Sequence, residues 1–283
     1  MPPADKTIGF IGAGNMAEAF VGALTRSNIF SPSQIRASDI SRDRLDFLKK
    51  TYGIGAVNNN FDLFTTSDIV VLAVKPQQIV QALVQIASQA AYSIPERKIV
   101  ISIAAGTPIF KIEQALYAPL DAVMQRNLPI IRVMPNTPAL VLSGMSGMSW
   151  NSHATGEDLK TARAILEAMG KVMDFEEDRL DAVTALSGSG PAYVFYLAEA
   201  MIEGGRAAGL DAQDAAALTL GTVKGALALL EQYGEAPEQL RRKVTSPGGT
   251  TEAAFKVLEN NRVKKIIVEA ILAAARRSKE LSK

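Results

Sequence analysis

The chain has 283 residues, of which 48% are apolar and 21% charged, and its formal net charge is +1. This length predicts two domains, since a typical domain holds roughly 100–200 residues. The near-neutral charge gives no basic field for nucleic acid or an anionic membrane, and the absence of cysteine excludes disulfides, thiolate catalysis and cysteine-bound metals. With neither a signal-peptide pattern nor a long charge-free apolar run, we expect a cytoplasmic protein with no nucleic-acid or membrane partner.

The first half of the chain alternates strand and helix patterns. Apolar and β-branched runs predict strands at Thr7–Ile11, Gln34–Ser38, Asp68–Val74, Ile99–Ala104 and Ile130–Met134, with an edge strand at Lys171–Asp174. Helical spacing predicts helices after the first strand and at Leu45–Tyr52, Gln77–Ala87 and Glu157–Met169. This order predicts an α/β fold: a Rossmann-type domain with a mainly parallel sheet over residues 1–175.

Strand patterns stop near Phe175, and the remaining chain reads as helices. One helix opens at Ser187-Gly-Ser-Gly-Pro191, a second is capped by Asp211, and the last runs from about Glu252. The second is apolar nearly all round, so it must be buried. We therefore expect residues 176–283 to form an all-α domain that binds substrate and makes a dimer.

A glycine-rich turn follows the first predicted strand and opens the first helix. In Gly12-Ala13-Gly14-Asn15-Met16-Ala17, Gly12 permits the tight turn, Gly14 removes the Cβ that would block a pyrophosphate, and Ala17 allows close helix–strand packing. The backbone N–H groups at the helix start then face the phosphates. In this βαβ context the motif predicts a dinucleotide site.

The end of the second strand leaves two cofactors open. Asp39 lies about 20 residues past the glycines, where an acid can bond the ribose 2′-OH of NAD. The residues Ser38, Ser41, Arg42 and Arg44 could instead surround the 2′-phosphate of NADP. These patterns conflict, so both NADP (NADPH) and NAD stay open as the cofactor.

Three loops follow the carboxyl ends of predicted parallel strands, where ligands bind. They are Val74-Lys75-Pro76, Ala104–Pro108 and Met134–Pro138. Prolines on both sides of Asn136-Thr137 stiffen the third loop, which could hold the Asn136 amide near a nicotinamide carboxamide.

A second glycine turn precedes the last long helix. Thr245-Ser246-Pro247-Gly248-Gly249-Thr250-Thr251 offers free N–H groups, hydroxyls and close approach, which suit a small carboxylate or a plain helix cap. The single histidine, His153, is predicted in a surface loop. No cluster has metal-ligand spacing, so we expect no metal.

Several segments together resemble one family, the pyrroline-5-carboxylate reductases: IGFIGAGNMAEA, VVLAVKPQ, ISIAAG, RVMPNTPA, LSGSGPAYVF and VTSPGGTTEAA. They span nearly the whole chain, from about residue 7 to 275. The resemblance implies an oxidoreductase that reduces (S)-1-pyrroline-5-carboxylate to L-proline with NAD(P)H, the last step of proline biosynthesis. It also implies a homodimer unit, which could assemble into a larger ring of dimers.

The resemblance further assigns residues. The substrate carboxylate would lie on the turn, with Thr251 bonding the ring nitrogen as the catalytic residue. The substrate contacts would be Ser246, Gly248, Gly249, Thr250 and Thr251. With Ser38 and Asp39, which come from the local pattern and not from the resemblance, the cofactor contacts would be Gly12, Gly14, Asn15, Met16, Ser38, Asp39, Asn60, Ala73, Val74, Lys75, Pro76 and Asn136.

Two alternatives stay open at this point. A hydroxyacid dehydrogenase of related plan uses a helical-domain lysine, for which Lys224 is a loose candidate, although its glycine and asparagine companions are missing. A non-catalytic nucleotide sensor would bind NAD(P)H without turnover.

Overall fold

The computed structural model describes residues 5–282, and these fall into two compact units. The first contains the chain through Ser189 together with the segment from Ala274 onward, and the second is Gly190–Ala273. The predicted boundary after residue 175 follows the last strand directly, while the first unit continues to Ser189. The boundary at residue 175 between a dinucleotide-binding domain and a substrate-binding, dimerising domain stays a prediction.

The first unit is built on an eight-stranded sheet in the order β3-β2-β1-β4-β5-β6-β7-β8. All neighbouring strands are parallel except β6 and β7, which are antiparallel. The strands are β1 (Ile8–Ile11), β2 (Ile35–Ser38), β3 (Gly55–Ala56), β4 (Ile69–Leu72), β5 (Ile99–Ser102), β6 (Ile130–Met134), β7 (Gly144–Trp150) and β8 (Gly170–Asp174). The predicted mainly parallel Rossmann-type sheet is confirmed.

Every predicted strand is present, most of them one or two residues shorter at an end, and β8 is the edge strand. Two strands, β3 and β7, were not predicted. Their sequences, Gly-Ala and Gly-Met-Ser-Gly-Met-Ser-Trp, lack the β-branched residues that mark a strand. In β7 the glycines serve packing: a Cβ on Gly147 would lie 2.8 Å from Cγ1 of Val183.

The helices before Gly190 belong to the first unit, those from Gly190 to Asn260 belong to the second, and the last helix begins in the second unit and ends in the first. They are α1 (Asn15–Arg26), α2 (Arg42–Tyr52), α3 (Asn60–Thr65), α4 (Pro76–Ala87), α5 (Ile109–Tyr117), α6 (Ala122–Arg126), α7 (Gly156–Glu167), α8 (Leu180–Val183), α9 (Gly190–Ala207), α10 (Ala212–Tyr233), α11 (Pro237–Lys243), α12 (Thr250–Asn260) and α13 (Val263–Leu281). The prediction of one last helix from Glu252 is wrong. The helix is interrupted at Asn261 and Arg262, and Arg262 has a left-handed backbone with φ +54°. Among residues 5–282, no helix is long and apolar enough to cross a membrane.

Two apolar clusters flank the sheet. Phe10 and Val71 belong to one cluster, whereas Ile11 and Leu72 belong to the other, because successive residues of a strand point to opposite faces. Burial on both faces explains the continuous apolar runs from which the strands were predicted. The carboxyl ends of β1, β2 and β4 therefore emerge from a rigid layer.

Candidate functional site

The glycine-rich turn connects β1 to α1 and combines a tight contact with an open space. Gly12 has φ +102°, and a Cβ there would lie 2.7 Å from the carbonyl carbon and oxygen of Ala73. Gly14, in contrast, has an ordinary φ of −72°, and a Cβ there would meet no protein atom within 4 Å. The turn thus needs glycine at position 12 for its own fold, but leaves Gly14 bordering empty space.

The N-terminus of α1 faces that space without a protein cap. Gly14 is the N-cap residue, and no side chain caps the helix. The N–H groups of Asn15 and Met16 therefore keep their donor capacity, and the helix dipole adds partial positive charge. A cradle that a Cβ would fill, beside uncapped amides, fits the pyrophosphate of a dinucleotide.

The loop after β4 lies beside Gly12. The backbone N–H of Ala73 donates to the carbonyl of Ile11 at 2.8 Å, which continues the β1–β4 pairing past the strand ends. Pro76 opens α4, with the exposed Lys75 as an N-cap residue whose side chain makes no capping bond. The structure thus brings Ala73, Val74, Lys75 and Pro76 to the edge predicted to hold the nicotinamide.

The end of β2 borders a cavity of about 750 Å³. The Ser38 hydroxyl donates to Oδ1 of Asn60 at 2.8 Å, so these two predicted cofactor contacts form one polar wall. Asp39 and Arg42 also border the cavity, and the exposed Arg42 guanidinium has no hydrogen-bond or ion-pair partner within residues 5–282. Ser38 is only 1% exposed and orients the Asn60 amide, so the wall can present that amide and the Arg42 cation to an adenosine ribose.

Asp39 and Arg44 are engaged with the glycine turn itself. The Asp39 carboxylate accepts the N–H of Ala13 at 2.6 Å and the N–H of Ser41 at 2.8 Å. Arg44 donates from Nε to the Ala13 carbonyl at 2.9 Å and pairs with Glu18 at 2.7 Å. The contacts of Arg44 with Ala13 and Glu18 were not foreseen, because its partners lie 26 and 31 residues away in sequence and no local pattern marks them.

Asn136 connects three segments of the first unit. Its Oδ1 accepts the N–H of Met145 at 2.9 Å, and its Nδ2 donates to the carbonyl and hydroxyl of Ser187 at 3.2 and 3.3 Å. The residues around Ser187 form a π-helical turn, Thr184–Gly188, a feature that often marks functional positions. Asn136 fixes this turn against the β6 loop, and its contact with a nicotinamide stays a prediction.

The second glycine turn lies wholly within the second unit. Gly248 has φ +73°, its N–H donates to Oε2 of Glu252 at 2.8 Å, and Gly249 is an N-cap residue without a side-chain cap. The N–H groups of Thr250 and Thr251 start α12 and have no intrahelical acceptor. These N–H groups are available to a small carboxylate, whose binding here stays a prediction, and Glu252 adds negative charge to the same turn.

Other sequence candidates lie elsewhere. His153 is half-buried, with its ring 5.7 Å from that of Tyr117, and Lys224 is exposed in the middle of α10. Among residues 5–282, no group of three or more His, Cys, Asp or Glu side chains could hold a metal ion.

The lysine with a shifted pKa, Lys98, lies at the amino-terminal ends of the strands, opposite the first glycine turn. Lys98 precedes β5 and lies over the ring of Phe64, while Asp68 precedes β4. Burial lowers the pKa of Lys98 to about 8, against the opposing attraction of Asp68. Near the glycine turn, burial and the adjacent Glu18 raise the pKa of Tyr52. The Lys98 shift concerns stability, because ligands of parallel sheets bind at the carboxyl edge.

Family models match two segments of the chain. A model described as pyrroline-5-carboxylate reductase dimerisation matches residues 177–281, and one described as NADP oxidoreductase, coenzyme F420-dependent, matches residues 7–106. These segments contain the second glycine turn and the first glycine turn, respectively.

Full-length relatives agree with both matches. The chain is 40% identical to pyrroline-5-carboxylate reductase 2 of Bacillus subtilis, with 98% of this chain and 95% of the relative covered. It is 41% identical to the pyrroline-5-carboxylate reductase of Synechocystis, with 98% of each covered. The crystal structure of Plasmodium falciparum pyrroline carboxylate reductase with NADP bound is 29% identical, with 99% of each chain covered and a TM-score of 0.86. On this evidence the chain belongs to the pyrroline-5-carboxylate reductase family.

Proposed function

We propose that this chain reduces (S)-1-pyrroline-5-carboxylate to L-proline, the last step of proline biosynthesis. The observation that carries the proposal is the open helix N-terminus at Gly14 in a chain similar over its whole length to pyrroline-5-carboxylate reductases. The chain is an NAD(P)H-dependent oxidoreductase of that family, and the proposal concerns its own substrate and residues.

The dinucleotide would lie along the carboxyl edge of β1, β2 and β4. Gly12, Gly14, Asn15 and Met16 would bind the pyrophosphate, and Ser38 with Asn60 would contact the adenosine ribose. Ala73 to Pro76 and Asn136 would flank the nicotinamide. NADPH is the preferred cofactor in this proposal, because Arg42 offers an unneutralised cation at the cavity that borders Ser38, and NADH is the alternative.

The substrate would lie on the second glycine turn. The backbone of Gly249, Thr250 and Thr251 would receive its carboxylate, close to Ser246 and Gly248, and Thr251 would also bond the ring nitrogen. Uncapped N–H groups at the start of α12 support this role, since they attract an anion without an arginine.

The chemistry asks for alignment more than for acid–base groups. The bound dinucleotide supplies the hydride. A protonated cyclic imine is already electrophilic, so addition of a hydride to its carbon leaves the secondary amine of proline. Thr251 and the turn would hold that carbon in position, and such alignment accounts for much of the rate enhancement.

We also propose that the chain forms a homodimer, and that such dimers can assemble into a larger ring. In the second unit only Ala215 and Thr219 are fully buried among the described residues, while large apolar side chains such as Leu218, Leu220 and Phe195 are more than half exposed. A helical unit with so little core needs a partner surface. The family's dimerisation model covers this unit, which favours a second copy of the chain as that partner.

The test follows absorbance at about 340 nm, the band of a reduced nicotinamide. NADPH and NADH are each mixed with 1-pyrroline-5-carboxylate, and in parallel with small 2-hydroxyacids and oxidised cofactor. Oxidation of NADPH that depends on the imine, without turnover of hydroxyacids, is expected. Turnover of hydroxyacids alone would favour the dehydrogenase alternative, and cofactor binding without any turnover would favour a nucleotide sensor.

A further inference from the structure

The segment Ser38–Arg44, from the end of β2 to the first turn of α2, holds the first glycine turn by three hydrogen bonds. The N–H of Gly12 donates to the Ser38 carbonyl at 2.8 Å. The N–H of Ala13 donates to Asp39 at 2.6 Å, and the carbonyl of Ala13 accepts from Arg44 at 2.9 Å. Both backbone polar groups of the fully buried Ala13 are therefore fixed by charged side chains, which make the stronger class of hydrogen bond.

Asp39 points toward the protein backbone with both oxygens. One oxygen accepts the Ala13 N–H and the other accepts the N–H of Ser41 at 2.8 Å. The preceding side chain, Ser38, is directed instead to Asn60. Ser38 and Asn60 thus form the wall of the cavity that is proposed to contact the ribose. The Asp39 carboxylate instead binds the glycine turn that precedes α1.

Arg44 serves the same turn through a charge. Glu18 lies in the first turn of α1, where its negative charge would oppose a pyrophosphate at the helix N-terminus. Arg44 pairs with Glu18 at 2.7 Å while its guanidinium lies 5.1 Å from the Phe47 ring centroid. The pair neutralises the acid and places a rigid donor on the Ala13 carbonyl.

We propose that Asp39 and Arg44 are positioning residues that hold the Ala13 backbone for the pyrophosphate, and that Asp39 does not select the cofactor through the ribose 2′-OH. This inference rests on the proposed function only in requiring that the site binds a dinucleotide. Both cofactors share the pyrophosphate, so losing either residue weakens NADPH and NADH alike. Selection between them then falls to the cavity that borders Ser38, Asn60 and Arg42.

The experiment measures Kd for NADPH and for NADH by fluorescence titration of the full chain. Asp39→Ala should raise both Kd values by about 10- to 100-fold, the range for one or two lost charge-assisted hydrogen bonds. The ratio of the two values should stay within about 3-fold of the wild type. At saturating NADPH, the KM for 1-pyrroline-5-carboxylate should not change, which separates this role from a general loss of structure.

Two further variants keep the test decisive. Asp43→Ala is the matched control. Asp43 is an exposed acid in the first turn of α2, four residues after Asp39, and its removal should leave both Kd values unchanged. Arg44→Met keeps an unbranched side chain of similar length but removes the guanidinium that contacts Ala13, Glu18 and the Phe47 ring, so it should weaken both cofactors in parallel even if Asp39→Ala does not fold.

The results that would overturn the positioning roles differ from the result that would overturn the proposed function. A variant of Asp39 that loses NADH while NADPH binds as well or better would make the acid a ribose contact and overturn the proposal. Unchanged Kd values in both Asp39→Ala and Arg44→Met would also overturn it. If the wild type binds both cofactors but never reduces the imine, the proposed function fails, while parallel weakening in the variants would still support these positioning roles.

Discussion

Replacing Gly14 with alanine should separate cofactor binding from protein stability. The backbone at Gly14 has φ −72°, and the added methyl would meet no protein atom within 4 Å. The methyl would instead occupy the space in front of the uncapped amides of α1, where the pyrophosphate is proposed to lie. Gly12 provides the contrast, since its φ of +102° and its contact with the Ala73 backbone make any side chain there a folding defect.

The magnitudes for Gly14→Ala follow from opposing small effects. Loss of unfolded-chain entropy stabilises the folded state by about 0.4–1 kcal/mol, while alanine is a poorer N-cap residue than glycine by an amount of similar size, about 0.5–1 kcal/mol. The net change should keep Tm within about 4 °C of the wild type. Loss of close pyrophosphate contact should raise the Kd for NADPH by at least about 100-fold, or about 3 kcal/mol.

Thermal unfolding and fluorescence titration with NADPH measure the two quantities on the same samples. Gly12→Ala should lower Tm and binding together, because left-handed backbone and steric overlap cost several kcal/mol, roughly 2–4. Tight NADPH binding by Gly14→Ala would show that the pyrophosphate lies elsewhere. A large fall in its Tm would show that the space in front of Gly14 is not open.

The remaining predictions concern three charged or polar side chains. Arg42→Ala should raise the Kd for NADPH by about 10- to 100-fold and leave that for NADH within about 2-fold, the effect of one lost charge-assisted phosphate contact; equal losses would remove Arg42 from the 2′-phosphate. Thr251→Ala should lower kcat/KM for the imine by about 10- to 1000-fold at unchanged NADPH affinity, and unaltered kinetics would exclude Thr251 from the site. Lys98 has a folded pKa of about 8, below the unfolded value of about 10.4, so the unfolded state binds more protons between these values. Urea unfolding should therefore show stability rising between about pH 8 and 10 by up to about 3 kcal/mol more in the wild type than in Lys98→Met; equal slopes would contradict the lowered pKa.

Local patterns were sufficient for the parts of the fold that depend on neighbouring residues. The run Asp68–Val74 predicted β4 because a strand buried on both faces needs continuous apolar residues. The first glycine turn was predicted together with the strand before it and the helix after it. Its function depends on Gly12, Gly14 and Ala17, which lie close together in the sequence. The second turn was also singled out locally, as a carboxylate site or a plain helix cap, whereas the full-length resemblance supplied Asn60, which no local signal singled out.

Long-range partners could not be predicted from local patterns. Strand β7 is defined by pairing with β6 and by glycines that admit Val183, not by its own propensity. The two alternatives at the end of β2 also depended on partners. The sequence suggested a ribose contact for Asp39 and a phosphate contact for Arg44, whereas both bind the backbone of Ala13, which no local pattern places beside them. The break at Arg262 likewise interrupts a helical pattern that continues in sequence.

Formation of L-proline is the most direct test of the proposed reduction. The wild-type chain is incubated with NADPH and 1-pyrroline-5-carboxylate, and proline is quantified against NADPH consumed, with Gly14→Ala as a folded control that should bind cofactor poorly. One proline per NADPH in the wild type, and little in the variant, is the predicted result. NADPH binding without any proline formed would contradict the account.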